Sequence, residues 1–187
     1  MTYKTHLATS MCVSIPLLAA ANELTALTLG GVAIGCLLPD IDTPGSFLGR
    51  RVKPISLLIS SFTEHRRIVH SFVPIIMLLI AAILFKSIFI LAISLGFLLH
   101  LVEDGFSKSG IRWMQPINDK SITVPFEWMR YKTGGWKEHI ILGVAIIILL
   151  IEIRYGHFGV IMHQARGYVN HFGAFNNYHH YKNYYNY

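Results

Sequence analysis

Long apolar stretches alternate with short polar ones along most of the chain. The apolar stretches cover roughly residues 7–38, 72–85, 87–102 and 140–151. The first is too long for one crossing of a lipid bilayer, because a hydrocarbon core about 30 Å thick takes roughly 20 helical residues. A polar interruption, Asn22-Glu23, lies near its middle. We therefore expect the chain to turn there and to form two short helices.

The pattern predicts five short helices in all. They cover about residues 6–20, 24–38, 72–85, 87–102 and 138–154. Few polar residues separate the members of the first pair and of the second pair, so each pair is expected to form a helical hairpin. Each helix is short for a full span, which implies tilting, local thinning of the bilayer or partial embedding. The predicted fold is an all-α, membrane-embedded bundle of about five short helices, arranged as two hairpins plus one.

A change in composition after residue 155 divides the chain into two parts. Residues 1–155 form the expected membrane-embedded domain. Residues 156–187 are rich in His, Tyr and Asn and lack apolar periodicity, so we expect a flexible tail. Five of the ten histidines belong to this tail, where nothing in their spacing favours a defined metal geometry.

The overall composition agrees with lipid as the surrounding solvent. Of 187 residues, 53% are apolar or aromatic and 14% carry charge, whereas charged residues make up about a quarter of an average soluble domain. The net charge of +6 indicates an anionic partner: phospholipid headgroups, a phosphate-bearing substrate or nucleic acid. Nucleic acid is disfavoured, because the basic residues lack the aromatic platforms on which bases stack. The oligomeric state is left open.

The basic residues also predict an orientation in the membrane. If the helices pair as expected, one side receives the N-terminus, residues 39–70 and residues 103–137. That side carries twelve of the sixteen Lys and Arg residues. Because cytoplasmic loops carry an excess of Lys and Arg, we expect this side to face the cytoplasm.

Side chains that suit metal ions lie at the same end of the predicted helices. The candidate ligands are His6, Asp40, Asp42, His65, His70, His100, Asp104 and Glu138. His100 and Asp104 are four residues apart, so they share one helix face with about 5–6 Å between their Cβ atoms. Asp40 and Asp42 lie in a turn next to Pro39, where two carboxylates can bend toward a common ion. Mixed imidazole and carboxylate ligands suit zinc, manganese or iron, and zinc is the usual choice for hydrolysis.

Ionisable groups beside a membrane-spanning segment are costly to bury alone, so they are usually paired or functional. Several ligand-bearing segments that meet on one side favour a metal site with more than one ion. An interfacial network of hydrogen-bonded polar groups is the alternative.

The motifs that contain these residues resemble the YdjM family of small bacterial inner-membrane proteins. They are Thr5-His6, Pro39-Asp40-Ile-Asp42-Thr-Pro44, His65-Arg66-Arg-Ile-Val-His70, His100-Leu-Val-Glu-Asp104 and Gly110-Ile-Arg-Trp-Met-Gln-Pro116. The resemblance implies a multi-helix inner-membrane protein with metal-dependent hydrolase activity. The family is similar, more distantly, to the zinc-dependent phospholipase C and single-strand nuclease superfamily, whose members cleave phosphodiesters with three zinc ions. That similarity suggests a class of reaction and no particular substrate.

The resulting hypothesis is hydrolysis of a phosphoester by water activated on two or three divalent ions. Asp42 is a bridging ligand, a group that orients a ligand, or the general base. Arg66 is the first candidate to contact phosphate, with Arg50 and Arg51 as alternatives, because a guanidinium can bind two phosphate oxygens. Attraction to anionic lipid also accounts for these arginines. A site at headgroup depth favours a lipid or lipid-linked substrate.

Two other classes of function fit the same residues. A metal transporter or sensor would also place His and Asp in the membrane, although its ligands would be spread across the bilayer depth. An interaction scaffold would use its basic loops and tail to bind a partner, with metal only joining the helices.

Overall fold

The computed structural model describes residues 1–62 and 68–154, without the side chain of Phe62. The described residues form six α-helices. They are α1 (Tyr3–Ala20), α2 (Ala26–Leu37), α3 (Lys53–Phe62), α4 (Phe72–Leu84), α5 (Ile88–Gly105) and α6 (Trp136–Arg154). Two short 3-10 helices, Pro39–Asp42 and Glu127–Met129, lie in the connections. Within these ranges there is no β-strand, and the all-α prediction is confirmed.

Both predicted hairpins are present, and local chemistry explains where each one turns. Asn22 adopts a positive φ of 58° after α1, a conformation that asparagine tolerates better than most residues. Thr25 and Thr28 then form a reciprocal capping box at the start of α2. In the second hairpin Lys86 has a φ of 47°, and the Ser87 hydroxyl accepts a hydrogen bond from the Ile90 amide of α5.

Helices α2 and α5 lie in backbone contact because two glycines face each other. A Cβ atom added to Gly35 would lie 2.0 Å from the Ile93 carbonyl oxygen, and one added to Gly96 would lie 2.1 Å from that of Val32. Small residues allow this close approach in membrane helices. The contact brings the end of α2 against His100, one helical turn beyond Gly96.

Helix α5 is the one helix among residues 1–62 and 68–154 that is long and apolar enough to cross a membrane, by length and composition. Helix α4 is apolar but shorter. Large apolar side chains are exposed on both α4 and α6, including Ile83, Leu84, Ile147 and Leu150. Exposed apolar surface of this extent is typical of contact with lipid or with another protein.

The prediction of about five helices missed α3. This ten-residue helix packs against the turn Pro39–Asp42. Its Ser56 is buried, whereas Ile55 and Leu58 are exposed. Its brevity explains the omission, because apolar runs this short do not distinguish a helix from other structure by periodicity alone. The predicted tail, residues 156–187, lies outside the described residues.

Candidate metal centre

Four separate segments bring imidazole and carboxylate groups together at one end of the bundle. His6 lies in α1, Asp40 in the turn after α2, His70 just before α4, and His100 and Asp104 in α5. These residues form two overlapping groups, His6–His100–Asp104 and Asp40–His70–His100. Within each group the possible ligand atoms lie within 4.8 Å of one another. The structure thus assembles five of the eight predicted ligands, while metal binding itself stays a prediction.

His100 belongs to both groups, and its surroundings define which nitrogen can bind a metal. Its Nδ1 lies 2.7 Å from the carbonyl oxygen of Cys36. A carbonyl can only accept, so Nδ1 carries the proton and Nε2 has a free lone pair. This Nε2 is buried, has no hydrogen-bond partner in the described part of the chain, and lies 3.8 Å from Asp104 Oδ2. A cation between these two atoms would satisfy both.

His6 repeats this arrangement. Its Nδ1 lies 2.5 Å from Glu103 Oε2, and its Nε2 lies 3.2 Å from Asp104 Oδ1. Its ring stacks on that of His100, with centroids 3.9 Å apart and an interplanar angle of 13°. The Met1 amino group also lies 2.9 Å from Asp104 Oδ1. Asp104 is therefore the carboxylate that the Met1 amino group and the Nε2 atoms of His6 and His100 all face.

His70 and Asp42 form the other side of the centre. The His70 ring stands edge-on to His100, with centroids 5.6 Å apart. Its Nδ1 lies 3.4 Å from Asp42 Oδ2, and neither ring nitrogen has a hydrogen bond to a described residue. Asp42 also accepts a hydrogen bond from the Thr43 hydroxyl at 3.0 Å. Asp42 joins neither group, and its Oδ2 and the His70 Nδ1 both lack a hydrogen-bond partner among the described residues. Its role, among the three considered, stays a prediction.

Asp40 is half-buried in a connection between helices. Burial raises the pKa of its carboxyl above the ordinary value, against the opposing attraction of His6 and His70. A divalent ion at this position would displace the proton, because carboxylates ligate metal in the deprotonated form.

Glu138 is buried but lies outside both groups. Its Oε1 accepts hydrogen bonds from the Thr2 amide at 2.5 Å and the Thr5 hydroxyl at 2.9 Å, and its Oε2 accepts one from the Gly134 amide at 2.7 Å. Both carboxylate oxygens are therefore engaged. The contacts join the start of α6 to the start of α1 and give no geometric support to the predicted ligand role.

The remaining predicted residues divide into two cases. His65 and Arg66 lie outside the described residues. Arg50 and Arg51 are exposed and contact their own loop. Arg50 donates to the Ser46 carbonyl at 3.3 Å, and the Arg51 guanidinium lies 3.6 Å from the centroid of the Phe47 ring.

Comparison with known proteins agrees with the motifs at this centre. Residues 1–170 match the sequence model of the family described as YdjM inner membrane protein. The chain belongs to this family. It is 34% identical over 131 residues to the inner membrane protein YdjM of Escherichia coli K12, an alignment covering 62% of this chain and 66% of the relative. The Shigella flexneri YdjM protein gives the same values.

A second relative extends the comparison to another bacterium. The uncharacterized protein YvsG of Bacillus subtilis is 30% identical over 112 residues, covering 59% of this chain and 68% of the relative. The chain spans slightly less than two thirds of the length of the E. coli and Shigella proteins it matches. No solved structure matches the chain. The family and the E. coli and Shigella relatives are named inner membrane proteins.

Sequence reasoning missed Glu103, although it lies within a motif of this YdjM-family chain. Besides His6, its carboxylate accepts hydrogen bonds from the Thr9 hydroxyl at 2.7 Å and the Ser10 hydroxyl at 3.0 Å. A carboxylate that holds the far nitrogen of a ligating histidine fixes its orientation and raises its basicity. The polar positions Thr9 and Ser10, inside an otherwise apolar helix, were the available signal.

Arg112 was also missed as a candidate to bind phosphate. A cavity of about 190 Å³ is lined by Arg112, His70 and Asp104 together with Ser109, Gly110 and Ser121. The Arg112 side chain is half-buried and forms no hydrogen bond or ion pair with the described residues. Arg112, which belongs to the motif Gly110–Pro116 and has no side-chain partner among the described residues, thus lines the same cavity as His70 and Asp104.

Proposed function

We propose that this YdjM-family protein is a membrane-bound hydrolase that cleaves a phosphoester of a lipid or lipid-linked substrate with two or three divalent ions, zinc before manganese or iron. The single observation that carries the proposal is the buried His100 Nε2. It has a free lone pair, faces the Asp104 carboxylate and belongs to both ligand groups.

The donor set fits a zinc site better than a purely structural polar network. Three imidazoles and two carboxylates are the ligands that zinc takes in catalytic sites. A polar network would pair each buried nitrogen with a donor or acceptor, yet both nitrogens of His70 and the Nε2 of His100 lack a hydrogen bond within the described part of the chain. Buried polar atoms without a hydrogen bond are rare in folded proteins, so these nitrogens favour the interpretation that the site binds a metal ion.

In this mechanism the residues of the site would have three different roles. His6, His70, His100, Asp40 and Asp104 hold the ions, while Glu103 and Asp42 orient two of the imidazoles. A bound divalent ion would lower the pKa of a water molecule toward about 7 and polarise a phosphoryl oxygen. Arg112, in the cavity that opens onto His70 and Asp104, would bind the non-reacting phosphate oxygens. Arg66 remains a second candidate for that contact, and His65 a further ligand.

The substrate class rests on where the centre lies. It is at the C-terminal end of α5, the helix that fits a membrane span, so the ligands would lie near the headgroup layer. The prevalence of Lys and Arg in the loops at this end supports a cytoplasmic orientation, and together with the family name it supports a multi-pass inner-membrane protein.

The test combines metal analysis with turnover on the purified full-length chain. We expect at least one zinc, manganese or iron per chain and hydrolysis of bis-p-nitrophenyl phosphate or of phospholipid vesicles. Asp104→Asn should remove both metal and turnover. Arg112→Ala should keep the metal and lower kcat/KM by roughly a hundredfold, as the loss of a charge-assisted contact predicts; Arg50→Ala is its matched control. Absence of metal would contradict the proposal.

A non-catalytic role for the metal is the second candidate. The centre joins α1, α5, the turn after α2 and the start of α4, as a structural ion would. Full metal content with no turnover on any phosphoester, combined with a fall in Tm on chelation, would favour this scaffold role. Metal uptake into vesicles would instead favour transport.

A further inference from the structure

A second cavity, of about 520 Å³, lies in the connection before α6 and at its first turn. Lys108, Arg130, Lys132, Lys137, Glu127 and Trp136 line it, and we call it the basic cavity. Four cationic side chains against one carboxylate leave a formal excess of three positive charges. No residue of the candidate metal centre lines it, so its function requires a separate explanation.

The backbone fixes these charges close to one another. The Lys108 amide donates to the Tyr131 carbonyl at 3.0 Å, and this pairing brings Lys108 beside Lys132. The Arg130 Nε donates to the Val124 carbonyl at 2.9 Å, and the Lys137 Nζ donates to the Trp128 carbonyl at 2.8 Å. Carbonyl oxygens position these cations without neutralising them. A preorganised group of positive charges is thus available to an anion.

The surroundings of the cavity favour one kind of anion over others. Trp128 and Trp136 beside the cavity are 73% and 70% exposed, and tryptophan is enriched where protein meets the headgroup layer. Helix α6 then continues with exposed apolar side chains such as Ile140, Val144 and Ile147. The cavity therefore lies where an apolar helix surface gives way to cationic side chains, an arrangement that suits a lipid headgroup.

We propose that the basic cavity binds the headgroup phosphate of an anionic phospholipid, at a site separate from the metal centre. The proposal requires no hydrolysis. It also connects the bilayer to the centre, because Tyr131 at the base of this loop is buried and its hydroxyl donates to the Glu103 carbonyl at 2.9 Å. A headgroup bound to Lys108 and Lys132 would hold the loop that carries Tyr131 against α5.

The test measures lipid binding to the full-length chain in detergent by native mass spectrometry, with phosphatidylglycerol and phosphatidylcholine as probes. We expect phosphatidylglycerol to bind at least about tenfold more tightly than phosphatidylcholine, since each basic residue near a surface contributes measurably to anionic lipid binding. Lys108→Glu/Lys132→Glu should lower phosphatidylglycerol affinity about tenfold or more. The control pair Lys53→Glu/Lys120→Glu changes the net charge equally at exposed positions outside the cavity and should shift affinity less than about twofold.

Four outcomes would overturn the proposal. Equal losses in both pairs would show a general charge effect. Equal binding of the two lipids would show no headgroup selectivity. Full displacement of phosphatidylglycerol by millimolar inorganic phosphate would identify a site for free phosphate. The Lys108→Gln/Lys132→Gln variant, with Tm and metal content measured alongside, separates lost lipid binding from lost folding, and an unchanged affinity in a folded variant would also contradict the proposal.

Discussion

The metal centre and the basic cavity lie near the same end of the bundle but are built in opposite ways. The centre gathers buried groups from segments up to about a hundred residues apart, such as His6 and Asp104. The basic cavity uses residues 108–137, among which Lys108 and Lys132 are exposed and Arg130 and Lys137 are half-buried. Buried ionisable groups need a ligand to offset the loss of hydration, whereas exposed cations remain hydrated and attract anions only modestly. The two regions should therefore respond differently to substitution, pH and salt.

The largest effect is expected from His100→Ala, because His100 belongs to both ligand groups. Bound metal should fall below about a tenth of the wild-type content, measured by elemental analysis of purified protein, while phosphatidylglycerol binding persists. His139→Ala is the matched control, since His139 is exposed and contacts the Gly135 carbonyl. Full metal content in His100→Ala would contradict the assignment of the centre.

Gly35→Ala should damage the centre through helix packing. Its new Cβ would lie 2.0 Å from the Ile93 carbonyl oxygen, so α2 must move away from α5. This movement also takes the Cys36 carbonyl away from His100. Overpacking of this kind typically costs about 1–3 kcal/mol, and we expect a lower Tm and weaker metal binding.

Gly30→Ala, in the same helix, provides the control for that substitution. Nothing lies within 4 Å of the added Cβ, so the better helix propensity of alanine should leave Tm unchanged or raise it slightly. Equal effects of the two substitutions would argue against the close α2–α5 contact.

Glu103→Gln should weaken metal binding by about 10- to 100-fold, the usual effect of losing a group that orients a metal-bound histidine. The amide keeps the shape of the side chain but can present its NH₂ group, rather than an acceptor, to His6 Nδ1. Competition with a chelator of known affinity measures the change. Glu127→Gln, in the basic cavity, should leave metal affinity as it is.

Acidification should weaken metal binding but not anionic lipid binding. Burial raises the pKa of Asp40, so the metal-free folded protein keeps this proton to a higher pH than an exposed carboxyl, and an incoming ion must displace it. Affinity should therefore rise with pH through the raised pKa, by about tenfold per unit for one displaced proton.

The stability of the metal-free protein depends on pH in the opposite direction, falling as pH rises. The folded state binds the Asp40 proton more tightly than the unfolded state, so this group stabilises the fold at low pH and the contribution is lost as pH rises. Competition with a chelator at a series of pH values measures the pH dependence of metal affinity. Increased salt should instead weaken lipid binding at the basic cavity by severalfold and barely affect the metal. A pH-independent metal affinity would remove Asp40 from the ligand set.

Much of the fold follows from patterns that are local in the sequence. Apolar run lengths predict the two hairpins, and the polar break at Asn22 and Glu23 predicts the first turn. Helix α3 was missed because ten residues give too little periodicity. The pairing of His100 with Asp104 follows from helix geometry alone, since residues four apart share a face.

Only part of the candidate metal centre can be predicted from local sequence patterns. Glu138 has the residue type and the helix end expected of a ligand, but its oxygens accept hydrogen bonds from Thr2, Thr5 and Gly134. Glu103 was overlooked although it adjoins Asp104, because its role depends on a histidine nearly a hundred residues away. In the sequence Arg112 is one of many basic loop residues, and only the fold shows that it lines the same cavity as His70.

By itself, the sequence determined the lipid-like composition, the helical periods, the residue types that can ligate a metal and the excess of cations at one end of the helices. These properties depend on residue type and on the spacing of residues that are close in the sequence. Only the tertiary structure decided which buried nitrogens lack a partner among the described residues, which of the predicted ligands lie together, and which described arginine lines a cavity with His70 and Asp104. Those outcomes depend on contacts between distant segments, and two facing glycines in α2 and α5 control how closely those segments approach.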